Sequence, residues 1–454
     1  MDPIELLSGP VPVILVILGV AAFMWLVVPR TRQQLRLTIP VVLAATFGAT
    51  VLLKFLTERV WNTWGAPLDT EVYLWVWLAL AAVTLGSVRI IQAVRKRPPA
   101  WVGRAALWLV STLLAVVAAA ELVNLHFGEY ATVGSLFGRP GLTIETITPI
   151  NPPESTPTQQ PTTPEGRAQE SARATKAVKE ADWNPPEEMP KQGKVVTTEI
   201  PSPVSGLPTS AAFVYLPPAY LTNNRPNLPV LVLLHGVPGR SLDWLDGGRL
   251  ASFMDAFAAR HKGLTPVVVM PDVGGNFAPN PPLCLDTKLG RSATYLAEDV
   301  PAWAKHNLGA GLADRHQWAI AGFSYGGTCA LQLAVNRPEV YPTFIDISGE
   351  VEPTINAGRD ALIRLYFDGD RAAFARQNAL DVLKTRSYPD TAGIVTIGES
   401  DSFYGPQGAA VAKAAAAVGM NVQLKTVPGS HTWQAWRAGL ETNLDWLMTR
   451  LTSG

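Results

Sequence analysis

The chain has 454 residues, only 16 % of them charged, and its mean hydropathy is positive; this excludes a disordered chain and argues against a wholly soluble enzyme. Lys+Arg and Asp+Glu balance at 37 each, so no net field draws nucleic acid, and no nucleic-acid partner is expected. Two cysteines are too few for a disulfide scaffold and lack metal-ligand spacing, and no metal or organic cofactor is expected.

Four apolar runs open the chain, over residues 11–28, 38–56, 72–91 and 102–123. Each is close to the ~20 residues a helix needs to cross a ~30 Å hydrocarbon core. No basic stretch precedes the first run and three more follow it, so a multi-pass anchor is expected rather than a cleaved signal peptide. Arg30, Arg32 and Arg36 follow the first run, and Arg89, Arg95, Lys96, Arg97 and Arg104 surround the loop between the third and fourth. Between the second and third, Arg59 stands against Glu58, Asp69 and Glu71. The positive-inside rule makes the basic loops cytoplasmic and places both termini, with everything beyond residue 124, outside the cytoplasm. Lys54 and Glu121 lie within the runs near their outer ends, where they can snorkel or pair with each other rather than form an ion path. Trp61, Trp64, Trp75 and Trp77 suit an outer interfacial belt.

Residues 143–193 are studded with proline, threonine, glutamine and glutamate and carry almost no large apolar residue before Trp183. Such a stretch cannot bury enough surface to offset chain entropy, and reads as a semi-extended linker, with a short helix suited to 165–180. The expected organisation is therefore a four-helix anchor over 1–130, a juxtamembrane segment and linker over 131–194, and a folded domain over 195–454. Within that domain, strands are predicted at 211–216, 228–234, 265–270, 318–322, 342–347, 393–397 and 422–427. Helices are predicted at 243–261, 295–308, 325–336, 408–418 and 432–451, with a helical region at 351–383. Strands alternating with helices imply a mostly parallel sheet covered on both faces.

Gly322-Phe323-Ser324-Tyr325-Gly326 is a G-x-S-x-G sequence at a strand end that opens a helix. Serine is a poor nucleophile in water; a sharp strand-to-helix turn presents its hydroxyl to a base, and glycines let the chain turn that tightly. The acid and base should follow in order. Asp401 lies in the turn after the strand at 393–397, with Glu399 as the rival acid, and His431 lies after the last strand. Two backbone N–H groups are needed for an oxyanion, one from Tyr325 and one from the loop His235-Gly236-Val237-Pro238-Gly239. Val237 is the expected donor because Pro238 has none, and His235 reads as structural. Trp433 and Trp436 read as packing of the last helix, and Glu350 as a solvated loop acid.

These pieces resemble a known family. LLHGVPG, MPDVGGNF, YLAEDVPAW, AGFSYGGTCALQLA and PGSHTWQAW occur in order across residues 195–454, which look like the esterase D / putative esterase branch of the α/β-hydrolases, relatives of the secreted mycolyltransferases. The four spans are closer to membrane-anchored actinobacterial esterases. The nucleophile loop departs from the mycolyltransferases, since Phe323 and Tyr325 flank Ser324, so their sugar- and mycolate-binding roles do not carry over. The resemblance implies a serine esterase outside the cytoplasm, acting on an acyl ester or lipid of the cell envelope. Its acyl-enzyme can pass to water or to another alcohol, so hydrolysis and acyl transfer are both open. A binding protein on a hydrolase fold and a small channel are the non-enzymatic alternatives. Nothing in the sequence sets an oligomeric state. Cys284, in the loop before the helix at 295–308, and Cys329, five residues after Ser324, form either a disulfide outside the cytoplasm or two buried thiols.

Overall fold

The computed structural model describes residues 4–63, 65–96, 100–137, 144–146, 177–208, 210–273 and 283–453. They form two compact units, 1–141 and 142–454.

The first unit consists of helices α1 (Pro10–Val27), α2 (Gln34–Val60), α3 (Thr70–Lys96) and α4 (Trp101–Phe127). All four are long and apolar enough to cross a membrane. Large apolar side chains such as Ile17, Phe47 and Leu113 point outward, as a hydrocarbon surround requires. Small residues let the helices approach. A Cβ on Gly19 would meet that of Ala118 at 2.0 Å, and one on Gly86 would meet Thr112 Oγ1 at 1.9 Å. The Arg89 guanidinium donates to the carbonyls of Leu26 and Val28 and to Gln34 Oε1, closing the end of α1. Lys54 does not pair with Glu121. It bonds Glu58 at 2.7 Å, one turn along its own helix, which is the nearer carboxylate. Trp77 is also not a rim residue: its indole N–H donates to the Leu43 carbonyl of α2. Trp64 of the expected belt lies outside the described residues.

The second unit is built on a nine-stranded sheet. Its strands are β1 (Glu145–Thr146), β2 (Lys194–Glu199), β3 (Ala211–Leu216), β4 (Val230–Leu234), β5 (Val267–Met270), β6 (Trp318–Phe323), β7 (Thr343–Ile347), β8 (Ala392–Gly398) and β9 (Asn421–Val427). The spatial order is β1-β2-β3-β5-β4-β6-β7-β8-β9. Pairings are parallel except β2–β3 and β3–β5. The sheet is apolar on both faces. Val230, Val232 and Leu234 of β4 belong to one core and Leu231 and Leu233 to the other, all essentially inaccessible. Its longer helices are α5 (Leu250–Arg260), α6 (Val300–Leu308), α7 (Tyr325–Asn336), α8 (Arg359–Phe367), α9 (Gly405–Ala417), α10 (Trp433–Glu441) and α11 (Leu444–Thr452), and the region expected as helical over 351–383 consists of α8 and two short helices, Arg371–Ala375 and Ala379–Val382. The sequence-predicted fold class, an apolar four-helix region followed by an α/β-hydrolase sheet, is the one observed.

Several boundaries differ from expectation, and three of the differences bear on how the unit is built. The helix read over 243–261 begins only at Leu250, because Gly247 must pass the Trp433 ring, where a Cβ would sit 2.2 Å from Nε1. The helix read over 432–451 is broken into α10 and α11 at Asn443, whose side chain is buried, donating to Gly439 O and accepting from Lys425 Nζ. The packed unit also begins before residue 195. Val178 N–H donates to Asn227 O, the Trp183 indole to Lys262 O, and Gly193 N–H to Asp255 Oδ1. Val178, Trp183 and Met189 of this segment pack on the core of the unit. Upstream, β1 pairs with β2, with Lys194 bonded to Glu145 at 2.6 Å. The expected linker thus has both of its ends on this unit; the helix expected over 165–180 falls, up to residue 176, outside the described residues.

Candidate active site

The strand β6 ends at Phe323 and α7 begins at Tyr325, so Ser324 alone makes the turn, with φ +52°. A non-glycine residue held in that region is strained, and here the turn is fixed from both sides. Ser324 N–H donates to Ile347 O of β7. A Cβ on Gly322 would come 2.4 Å from the Gly326 backbone, and one on Gly326 would come 2.5 Å from Leu234 O. Both glycines of the motif are therefore required by contact.

His431 follows β9 and reaches back to this turn. Its Nε2 lies 2.9 Å from Ser324 Oγ, and its Nδ1 lies 3.0 Å from Asp401 Oδ2. Asp401 sits in the turn after β8, is buried, and takes the Tyr404 N–H on its other oxygen at 2.9 Å. Glu399 is exposed two residues earlier, with its backbone N–H on Val427 O. The structure brings together Ser324, His431 and Asp401, and leaves Glu399 to solvent.

The loop after β4 abuts the serine: a Cβ on Gly236 would lie 2.8 Å from the Phe323 ring and 3.3 Å from Ser324 Cβ. Val237 and Tyr325 line one small cavity of about 10 Å³ together with His235, Cys284 and Cys329. That volume accommodates roughly one water-sized group. His235 is buried, with Nδ1 2.7 Å from Gly236 O, which fits a structural histidine donating to its own loop. Cys284 and Cys329 are joined as a disulfide with Cα atoms 5.5 Å apart, in the wall of this cavity.

Beneath the turn, Asp346 of β7 is fully buried opposite Gly322. Its Oδ1 accepts the Gly349 N–H, and burial pushes its pKa up to about 7. A Cβ on Gly327 would meet that oxygen at 2.4 Å, so the first turn of α7 packs directly on the carboxyl. Around the histidine the surroundings are aromatic. Trp433 is buried against Trp244 and Phe323, as a packing residue should be. Trp436 is half-buried, stacks on Phe323 at 4.4 Å and meets the His431 ring at 5.0 Å. Tyr404 is the other aromatic contact of His431 and lies flat on its ring, with centroids 3.8 Å apart and planes 16° apart. Glu350 is not a solvated loop acid. It is half-buried, accepts a hydrogen bond from the Thr354 hydroxyl, and burial pushes its pKa up.

Sequence reading passed over Tyr404 and Asp346. Tyr404 had a local signal, three residues past Asp401, where an aspartate side chain commonly takes a backbone N–H. Asp346 had a plainer one, a lone carboxylate inside the apolar strand Thr-Phe-Ile-Asp-Ile.

A mostly parallel sheet carrying a serine on a strained strand-to-helix turn, with a histidine and an aspartate on later strand ends, defines an esterase-type α/β-hydrolase. Residues 209–447 match the family described as putative esterase, and the chain belongs to that family. An uncharacterised protein of Corynebacterium glutamicum is 30 % identical over 416 residues, covering 89 % of this chain and 87 % of its own. Two solved structures are similar over the α/β unit. A ferulic acid esterase is 22 % identical, with a TM-score of 0.49, covering 58 % of this chain and 99 % of its own. An S-formylglutathione hydrolase from Agrobacterium tumefaciens is 21 % identical, with a TM-score of 0.47, covering 58 % and 97 %.

Proposed function

We propose that this protein is a membrane-anchored serine esterase whose site lies outside the cytoplasm, acting on an acyl ester of the cell envelope through an acyl-enzyme at Ser324. The observation that carries the reading is the continuous contact from Ser324 Oγ to His431 Nε2 at 2.9 Å and from His431 Nδ1 to Asp401 Oδ2 at 3.0 Å. With Nδ1–H donating to the aspartate, Nε2 presents its lone pair to the hydroxyl. Ser324 Oγ attacks the ester carbonyl while its proton passes to Nε2, and the amides of Val237 and Tyr325 take the negative charge that develops on oxygen. Collapse returns that proton to the departing alcohol. Water, activated by the same nitrogen, then releases the acid and restores the serine. Siting outside the cytoplasm is supported by the basic residues around the first and third loops and by the Cys284–Cys329 disulfide, since cytoplasmic thiols are kept reduced. The anchor is supported by the four apolar helices.

The test is a fluorophosphonate probe applied to the full chain in detergent, followed by peptide mapping. Labelling is expected at Ser324, and Ser324→Ala should lose both labelling and short-chain p-nitrophenyl ester hydrolysis, by on the order of 10⁴-fold or more in kcat. Undiminished hydrolysis in that variant would overturn the assignment.

A further inference from the structure

Resting on the reading of Ser324, His431 and Asp401 as the reacting set, we infer that Tyr404 is a positioning residue whose ring face stabilises the charge that His431 acquires when it takes the serine proton. Three features of the molecule put it there. The ring stack is close and nearly parallel, with centroids 3.8 Å apart and planes 16° apart, so the imidazole lies over the electron-rich face of the phenol ring. The ring is not free to leave. Tyr404 is buried, it caps α9, its N–H donates to Asp401 Oδ1 at 2.9 Å, and its carbonyl accepts from Gly408 N–H at 2.9 Å. Asp401 itself is tied into the same turn, donating its N–H to Gly398 O and accepting Gly405 N–H on its carbonyl. One turn thus carries both the carboxylate that meets the edge of the imidazole and the aromatic ring that covers its face.

The chemistry follows from which state is charged. In the resting enzyme the imidazole is neutral and gains only ordinary stacking from Tyr404. At the transition state it is an imidazolium, and a cation over an aromatic face within about 6 Å gains an added electrostatic attraction. The interaction is therefore stronger in the transition state than in the ground state, the condition for accelerating the step rather than tightening binding. Asp401 supplies the matching charge along the Nδ1 edge. Phe403, itself exposed, packs edge-on against the Tyr404 ring at 4.9 Å.

The experiment replaces position 404 in the full chain in detergent and measures acylation and KM with p-nitrophenyl acetate. Tyr404→Phe keeps the ring face and should stay within about threefold of wild type, whereas Tyr404→Leu keeps bulk without the face and should slow acylation about tenfold with little change in KM. Phenylalanine and its mono-, tri- and pentafluorinated analogues, incorporated at 404, hold shape nearly constant while draining charge from the ring; acylation should fall stepwise along this series. This series keeps the test open should the leucine variant fold poorly. A flat response to fluorination, or a leucine variant as fast as wild type, overturns the role of Tyr404. Continued turnover by Ser324→Ala under the same conditions would instead overturn the site reading beneath it, so the two failures are told apart.

Discussion

Asp401 and His431 meet edge to edge at 3.0 Å across thirty residues of sequence, while Glu399, two residues from Asp401 and of the same charge, faces solvent. The difference is made by the turn after β8, which folds Asp401 inward by donating its own N–H to Gly398 O and by placing the Tyr404 N–H on its carboxylate. In Asp401→Asn the remaining oxygen keeps the Tyr404 N–H and an NH2 donor faces His431 Nδ1, which favours the wrong imidazole tautomer and should lower kcat by about 10³–10⁴-fold. Glu399→Gln should leave kcat within about twofold, since it touches nothing that reacts. Steady-state kinetics on the two variants decides between them, and the reverse ranking would move the acid to Glu399.

The Cys284–Cys329 bridge closes a loop of 45 residues and sits in the wall shared by Val237 and Tyr325. Chain-entropy reasoning gives such a closure about 4 kcal/mol. Thiol counting on denatured, unreduced protein should find no free thiol, and a linked peptide should carry both cysteines. Reduction should lower the apparent Tm and slow ester turnover together, because the bridge ties the α7 helix to the loop that carries Cys284, and both cysteines line the cavity. Two free thiols in the native preparation would remove both expectations.

Asp346 predicts a pH dependence of stability. Burial raises its folded pKa to about 7, against an ordinary value of 3.8. The folded state therefore holds a proton that the unfolded chain has released, and its contribution, fully present below about pH 4, is lost as pH rises through 7. Between pH 5 and 8 the loss is on the order of 2 kcal/mol. Asp346→Asn keeps an acceptor for Gly349 N–H but cannot ionise, so its apparent Tm should stay flatter over that range than wild type. Melting curves at pH 5, 6, 7 and 8 measure this; parallel slopes for the two proteins would show that Asp346 does not titrate there.

Much of this was legible in the chain, and for local reasons. The five apolar residues of β4 in succession required a strand buried on both faces, and Gly322 and Gly326 around Ser324 required a turn too tight for side chains. The positions of Asp401 and His431 followed because each stands directly after a strand, where the backbone alone sets their height above the sheet. What could not be read depended on distant partners. The pairing of β1 with β2 joins short segments that are unremarkable apart from each other. The break at Asn443 coincides with a buried side chain held by Lys425, on β9, a partner remote in sequence. The stack of Tyr404 on His431 needs two separate turns to arrive face to face, and no periodicity within either turn encodes that.

The attachment of both Thr146, through β1, and Val178, through Asn227, to one folded unit changes what the proline- and threonine-rich stretch can do. Changing the number of residues between these two attachments changes a closure entropy, about 0.6 kcal/mol for each doubling of length, and leaves the attachments themselves in place.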